Sequence, residues 1–103
     1  MFEPNSRYIT RGIQETLPVD IQLLLWLAID SLRITAKAPL DYLQVFTFKK
    51  EGDLLTIRHE QEKPRRVQVH NTPFREAYRA ILGEKVYVID DGDHSTMLYA
   101  RDY

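Results

Sequence analysis

The sequence predicts an α+β fold: a mostly antiparallel sheet of about five to six strands with two helices, in the order β-α-β-β-β-α-β-β. Three features predict it. Short runs rich in β-branched and aromatic residues are joined by tight turn signals, most clearly in VYVIDDGDHSTMLY at residues 86–99. A long apolar helix pattern opens at Pro18. A second helical spacing follows Thr72-Pro73, and its apolar residues recur at i, i+3, i+4, i+7 and i+8.

Taken in order, RYITRGI at residues 7–13 reads as a first strand, with Gly12 marking a bulge or its end. Pro18 sits where a helix begins, since its missing N–H costs nothing in the first turn, and Asp20 favours the helix dipole there. Thr16 or Leu17 would then be the cap. The helix over residues 18–34 carries Leu17, Ile21, Leu24, Leu25, Ala28 and Leu32 along one stripe. Leu23, Trp26, Leu27 and Ile29 extend the apolar surface well beyond it. Such a helix is ordinarily buried on several sides, which places it between the sheet and the second helix. The sharper alternative is an exposed Trp26 patch that binds a partner or a second copy of the chain.

Residues 37–39 form a linker, and residues 42–50 and 54–61 form a hairpin around Glu51-Gly52-Asp53. Pro64 breaks the chain, after which residues 65–70 alternate, with Val67 and Val69 expected inward and Arg66, Gln68 and His70 outward. Thr72 and Pro73 would cap a helix carrying Phe74, Ala77, Tyr78, Ile81 and Leu82, which Gly83 would stop. In the closing hairpin, a loop at Gly92 and Asp93, or a longer one from Asp91 to His94, pairs Ile89 with Thr96, Val88 with Met97 and Tyr87 with Leu98. The competing register sets Asp90 opposite Asp93, where like charges repel.

Composition narrows the classes further. A chain of 103 residues, 44% hydrophobic and 28% charged, fits one folded domain over residues 1–103. It has no cysteine, which excludes disulfides, thiolate metal sites and a cysteine nucleophile. The start of the chain lacks the pattern of a signal peptide, and the longest apolar run, residues 23–29, is far too short to span a membrane. A cytoplasmic location is therefore expected. Residues 49–85 carry nine Lys/Arg against six Asp/Glu, and residues 86–103 carry one against four. A basic middle beside an acidic end falls short of the footprint of a dedicated nucleic-acid binder.

The densest group of functional side chains is Asp90, Asp91, Asp93 and His94. Carboxylates beside an imidazole could hold Mg²⁺ or Mn²⁺ in a metal-dependent hydrolase or nuclease. Asp and Gly are also what a tight turn requires, and that plainer role is the expectation here. His59, His70 and His94 lie on different strands, without the short local spacing of zinc ligands. Lys49, Lys50, Arg58, Lys63, Arg65, Arg66, Arg75 and Arg79, with Tyr42, Phe46 and Tyr78, could engage an RNA backbone and stack on bases. Interleaved acidic residues would cancel much of that field. No cofactor motif is present.

At RYITRGI (residues 7–13) and VIDDGDHSTML (residues 88–98) the chain resembles a family of short, uncharacterised proteins from Gram-positive bacteria, known only as a domain of unknown function. The resemblance includes the helix after Leu17-Pro18 and the strand at residues 41–46, about two thirds of the chain, and IDDGDHSTM is its most specific string. It carries over no catalytic residue. Genes of such proteins often travel on mobile elements, which implies a role in counter-defence. Small proteins of this type include inhibitors that bind a CRISPR nuclease and stop it loading guide RNA. The resulting expectation is a non-enzymatic interaction module that binds a larger protein or ribonucleoprotein, such as a Cas9-type nuclease, through Trp26, Arg65, Arg66, Asp90, Asp91 and Asp93. A metal-dependent hydrolase and an RNA-binding domain are the alternatives.

Overall fold

The computed structural model describes residues 1–37 and 39–103; the linker expected over residues 37–39 includes Ala38, which lies outside the described residues. The elements are β1 (Arg7–Ile9), α1 (Arg11–Thr16), α2 (Val19–Thr35), β2 (Leu43–Glu51), β3 (Leu54–Gln61), β4 (Arg66–Pro73), β5 (Lys85–Asp90) and β6 (Ser95–Tyr99). Short 3-10 helices span Pro4–Ser6, Glu76–Ile81 and Ala100–Asp102. The fold is α+β; among the described residues there are two α-helices, and six strands lie in the order β1-β6-β5-β2-β3-β4. Four of the neighbouring pairs are antiparallel, while β1 joins β6 in parallel, so the sheet is mixed.

Two expectations about element order are corrected. RYITRGI is a strand only as far as Ile9. Thr10 then turns the chain, its Oγ1 accepting from the Ile13 N–H at 3.4 Å, and Gly12 lies inside α1 rather than in a bulge. Leu17 ends α1, its N–H bonding the Ile13 carbonyl, and Pro18 itself caps α2. The buried Gln22 side chain secures this corner by donating to the carbonyls of Leu17 at 2.8 Å and Ile13 at 3.3 Å, at the end of α1. The second expected helix is also shorter. Thr72 and Pro73 complete β4, and only a 3-10 helix at Glu76–Ile81 follows, without a side-chain cap. Tyr78 and Ile81 are still buried, as their spacing requires.

The hairpin register, in contrast, follows the cross-strand pairs read from sequence: Ile89 faces Thr96, Val88 faces Met97 and Tyr87 faces Leu98. The loop spans residues 91–94, and the Asp91 N–H donates to the His94 carbonyl at 3.0 Å.

One face of the sheet carries the core. Phe46 and Phe48 of β2, Leu55 and Ile57 of β3, Val86 and Val88 of β5 and Met97 and Tyr99 of β6 are buried with Ile21, Leu25, Ala28 and Ile29 of α2. Phe2 is fully buried with them, although nothing in the first six residues signals a core position. On β4 the expected orientation is reversed. Arg66, Gln68 and His70 pair with Gln61, His59 and Ile57, all buried, so they share the core face. Val67 and Val69 point away from it and are exposed. The cause is the edge position of β4: the core narrows there, and burying valine no longer decides which side faces in. Among the described residues no helix is long and apolar enough to cross a membrane.

Candidate functional site

The structure does not gather the sequence-derived candidates into one place. Arg65, Arg66 and the aspartates lie at the same end of the sheet, on the turn between β3 and β4 and the turn between β5 and β6. Strand β2 separates those hairpins, so β3 and β5 stand about 10 Å apart. Trp26 is on α2, its ring under the Arg7 guanidinium.

In the acidic turn the carboxylates serve the backbone. Asp90 Oδ1 accepts from the Gly92 N–H at 2.8 Å, and Asp90 Oδ2 accepts from the Phe2 N–H at 2.6 Å, tying the start of the chain to the hairpin. Asp91 Oδ1 accepts from the N–H groups of Asp93 at 3.0 Å and His94 at 2.9 Å. The His94 backbone bond is the main reason the Asp91 carboxyl is held below its usual range. His94 Nε2 lies 3.2 Å from Asp91 Oδ2, and Tyr8 meets its ring edge-on. Gly92 has φ +100°, which a side chain rarely tolerates. Among the described residues no three His, Asp or Glu side chains are grouped to hold a metal ion.

Four of the eight basic positions, Arg58, Arg65, Arg75 and Arg79, are paired with acidic neighbours. Arg58 and Arg65 both reach Glu60, at 3.2 and 3.3 Å, Arg75 reaches Asp20 at 3.4 Å, and Arg79 reaches Glu76 at 2.8 Å. Of the three aromatic residues only Tyr42 is exposed: Phe46 stacks on His59 inside the core, and buried Tyr78 donates its hydroxyl to Asp20.

Beneath Arg66 the core face holds a polar network that the sequence reading passed over. Gln61 Nε2 donates to the Pro64 carbonyl at 2.9 Å, so its Oε1 is left to accept from the Asp41 N–H and from Gln44 Nε2. Gln44 Nε2 also donates to the Asp41 carbonyl at 2.8 Å, which leaves Gln44 Oε1 facing His59 Nε2 at 2.6 Å. That nitrogen must therefore carry the proton, and Nδ1, buried without a partner, is bare. Burial, helped by the charge of His70, pushes the His59 pKa down to about 4. The alternation of Gln44 with Phe46, and of Ile57, His59 and Gln61 on β3, was the available signal: polar residues at positions that the strand period assigns to the core.

The largest departure from expectation is on α2. Its inner side packs on the sheet, but among the described residues no second helix covers its outer side. Val19, Leu23, Leu27 and Ile34 are 66%, 63%, 67% and 84% exposed. At 100° per residue they fall within one stripe, since they are spaced at i, i+4, i+8 and i+15. Trp26 flanks the stripe half-buried, with the Arg7 guanidinium 4.8 Å over its ring. Arg7 in turn donates to Asp30 Oδ2 at 3.1 Å and to the Phe2 carbonyl at 2.8 Å. Its hydrogen bond is the chief reason that the Asp30 carboxyl stays below its usual range, and Arg33 adds to it. Trp26 is thus a large aromatic held in place by an ion pair, beside an uncovered aliphatic stripe.

A crystal structure described as a protein of unknown function from Enterococcus faecalis is 27% identical to this chain, with a TM-score of 0.81, covering 100% of this chain and 98% of that one. No curated protein matches the sequence. The model of the family described as Staphylococcal protein of unknown function (DUF960) matches residues 6–102, so the second half of the chain is included as well as the stretches quoted above. The chain belongs to the DUF960 family.

Proposed function

We propose that this protein is a non-enzymatic interaction module that engages a larger protein through the outer face of α2. The observation that carries this reading is the stripe of Val19, Leu23, Leu27 and Ile34, each more than 60% exposed. Four such side chains present about 100 Å² each, on the order of 400 Å² together. Apolar patches of that size on a folded chain are commonly functional. Trp26 supplies the aromatic anchor typical of interface centres, and Arg7, Asp20 and Asp30 give the patch a charged rim. The Asp90–Asp93 turn contributes shape and negative charge at another edge. The Asp90 and Asp91 carboxylates are committed to backbone bonds, which favours a structural role for them.

Capture by the wild-type protein compared with a Leu23→Arg, Leu27→Arg variant tests this reading. A partner retained by the first and lost by the second is the expected result, and equal capture by both would contradict it. The narrower form of the proposal takes the partner to be a Cas9-type nuclease and rests on the family resemblance alone. Its test is binding to the purified nuclease with and without guide RNA.

A further inference from the structure

Strand β4 is the last in the order β1-β6-β5-β2-β3-β4, and among the described residues no strand pairs with its outer edge. It runs for eight residues, Arg66–Pro73, whereas the opposite edge, β1, has three. Its sequence, RVQVHNTP, has a single formal charge, at Arg66, and exposes Val67 and Val69. A long, flat, weakly charged edge is what proteins without an edge partner avoid, by charge, proline or a covering segment. Here Pro73 blunts only the final position. A groove adjoins the edge, walled by Leu24, Leu27 and Ala28 of α2 and by Val69, His70 and Asn71 of β4.

We infer that β4 pairs with β4 of a second copy of this chain, antiparallel about a twofold axis at Val69, joining two six-stranded sheets into one. Unsatisfied strand-edge N–H and C=O groups call for another strand, and β4 matches itself in length and polarity. The dyad sets Val69 against the partner's Val69, Gln68 against the partner's His70, and Arg66 against the partner's Thr72, with no like charges opposed. Val67, Val69 and Leu27 are 37%, 55% and 67% exposed and Leu24 is half-buried, so their apolar surface in the two copies comes to roughly 600 Å² before backbone and polar side chains are counted. The eight-residue strand edge of each copy adds to this, toward the ~1,000 Å² of a specific interface. This surface is separate from the Leu23 stripe proposed to bind a larger protein, except at Leu27.

Because the chain has no cysteine, Val69→Cys gives a clean probe. Sedimentation of the wild-type protein over the micromolar range should show a dimer, and Val69→Lys, which opposes two charges at the axis, should weaken it about tenfold or more. Val69→Cys should form a disulfide-linked dimer under mild oxidation, well ahead of a Lys49→Cys control on β2. Leu23→Arg should leave the dimer intact while abolishing partner capture. A monomer at every concentration, or a dimer indifferent to Val69→Lys, would overturn the inference, and so would a dimer lost in Leu23→Arg instead.

Discussion

Acidification should destabilise this protein through His59 in a window fixed by two pKa values. The unfolded chain takes up a proton near the ordinary value of 6.5, but the folded chain resists it until about 4, because the ring is buried and its Nδ1 faces no acceptor. The unfolded state therefore binds more protons between these limits, and stability falls as pH falls through them. The His59 penalty fades out about one unit above pH 6.5. At 1.36 kcal/mol per pKa unit the penalty grows from roughly 1 kcal/mol near pH 5.5 to a plateau of roughly 3 kcal/mol below pH 4. Urea unfolding of the wild type and of His59→Gln at pH 7.5, 5.5 and 4.5 measures the difference, because the carboxylates common to both cancel. Glutamine can still donate to Gln44 but does not titrate, so its curve should be flatter by these amounts. Equal pH slopes for the two proteins would refute the tautomer and burial assigned to His59.

Replacing Asp90 with Ala removes acceptors from the Phe2 and Gly92 N–H groups and should cost about 2 kcal/mol in urea unfolding. Gly92→Ala forces a side chain to φ +100° and should cost about 1–2 kcal/mol, with the same hairpin register retained by NMR. Phe2→Ala should cost about 3–5 kcal/mol, since a fully buried ring leaves a cavity. Leu23→Arg, on the exposed stripe, should change stability by no more than about 0.5 kcal/mol, which circular-dichroism melts would verify. Calorimetric titration of Mn²⁺ into the wild type and Asp91→Ala should give no heat in either case, because the Asp91 carboxylate is held by backbone N–H groups.

Local pattern was a reliable guide where one physical term dominated. The β5–β6 register follows from apolar cross-strand pairs against opposed aspartates, and the α2 helix from its Pro18 start and long apolar run. It failed where two local signals conflicted. RYITRGI has strand composition, yet Thr10 as a cap and the spacing of Ile13 and Leu17 favour a helical turn. At Thr72-Pro73 a strong start signal was overridden by pairing with β3, where Thr72 faces Leu55 and Pro73 faces Leu54. The bare outer side of α2 was not legible at all. An apolar helix face reads the same in sequence whether a second helix covers it or a partner does, and only the short 3-10 segment at Glu76–Ile81 leaves it open. Nor did the sequence place Phe2 in the core, because its contacts come from elements far along the chain.

A photo-crosslinking residue placed at position 23, and for comparison at position 93, in the cell that makes the protein tests the proposed mode of action most directly. Position 23 should yield an adduct with one larger protein, while position 93 yields little. Adducts concentrated at position 93, with position 23 silent, would contradict the assignment of the outer face of α2 as the working surface.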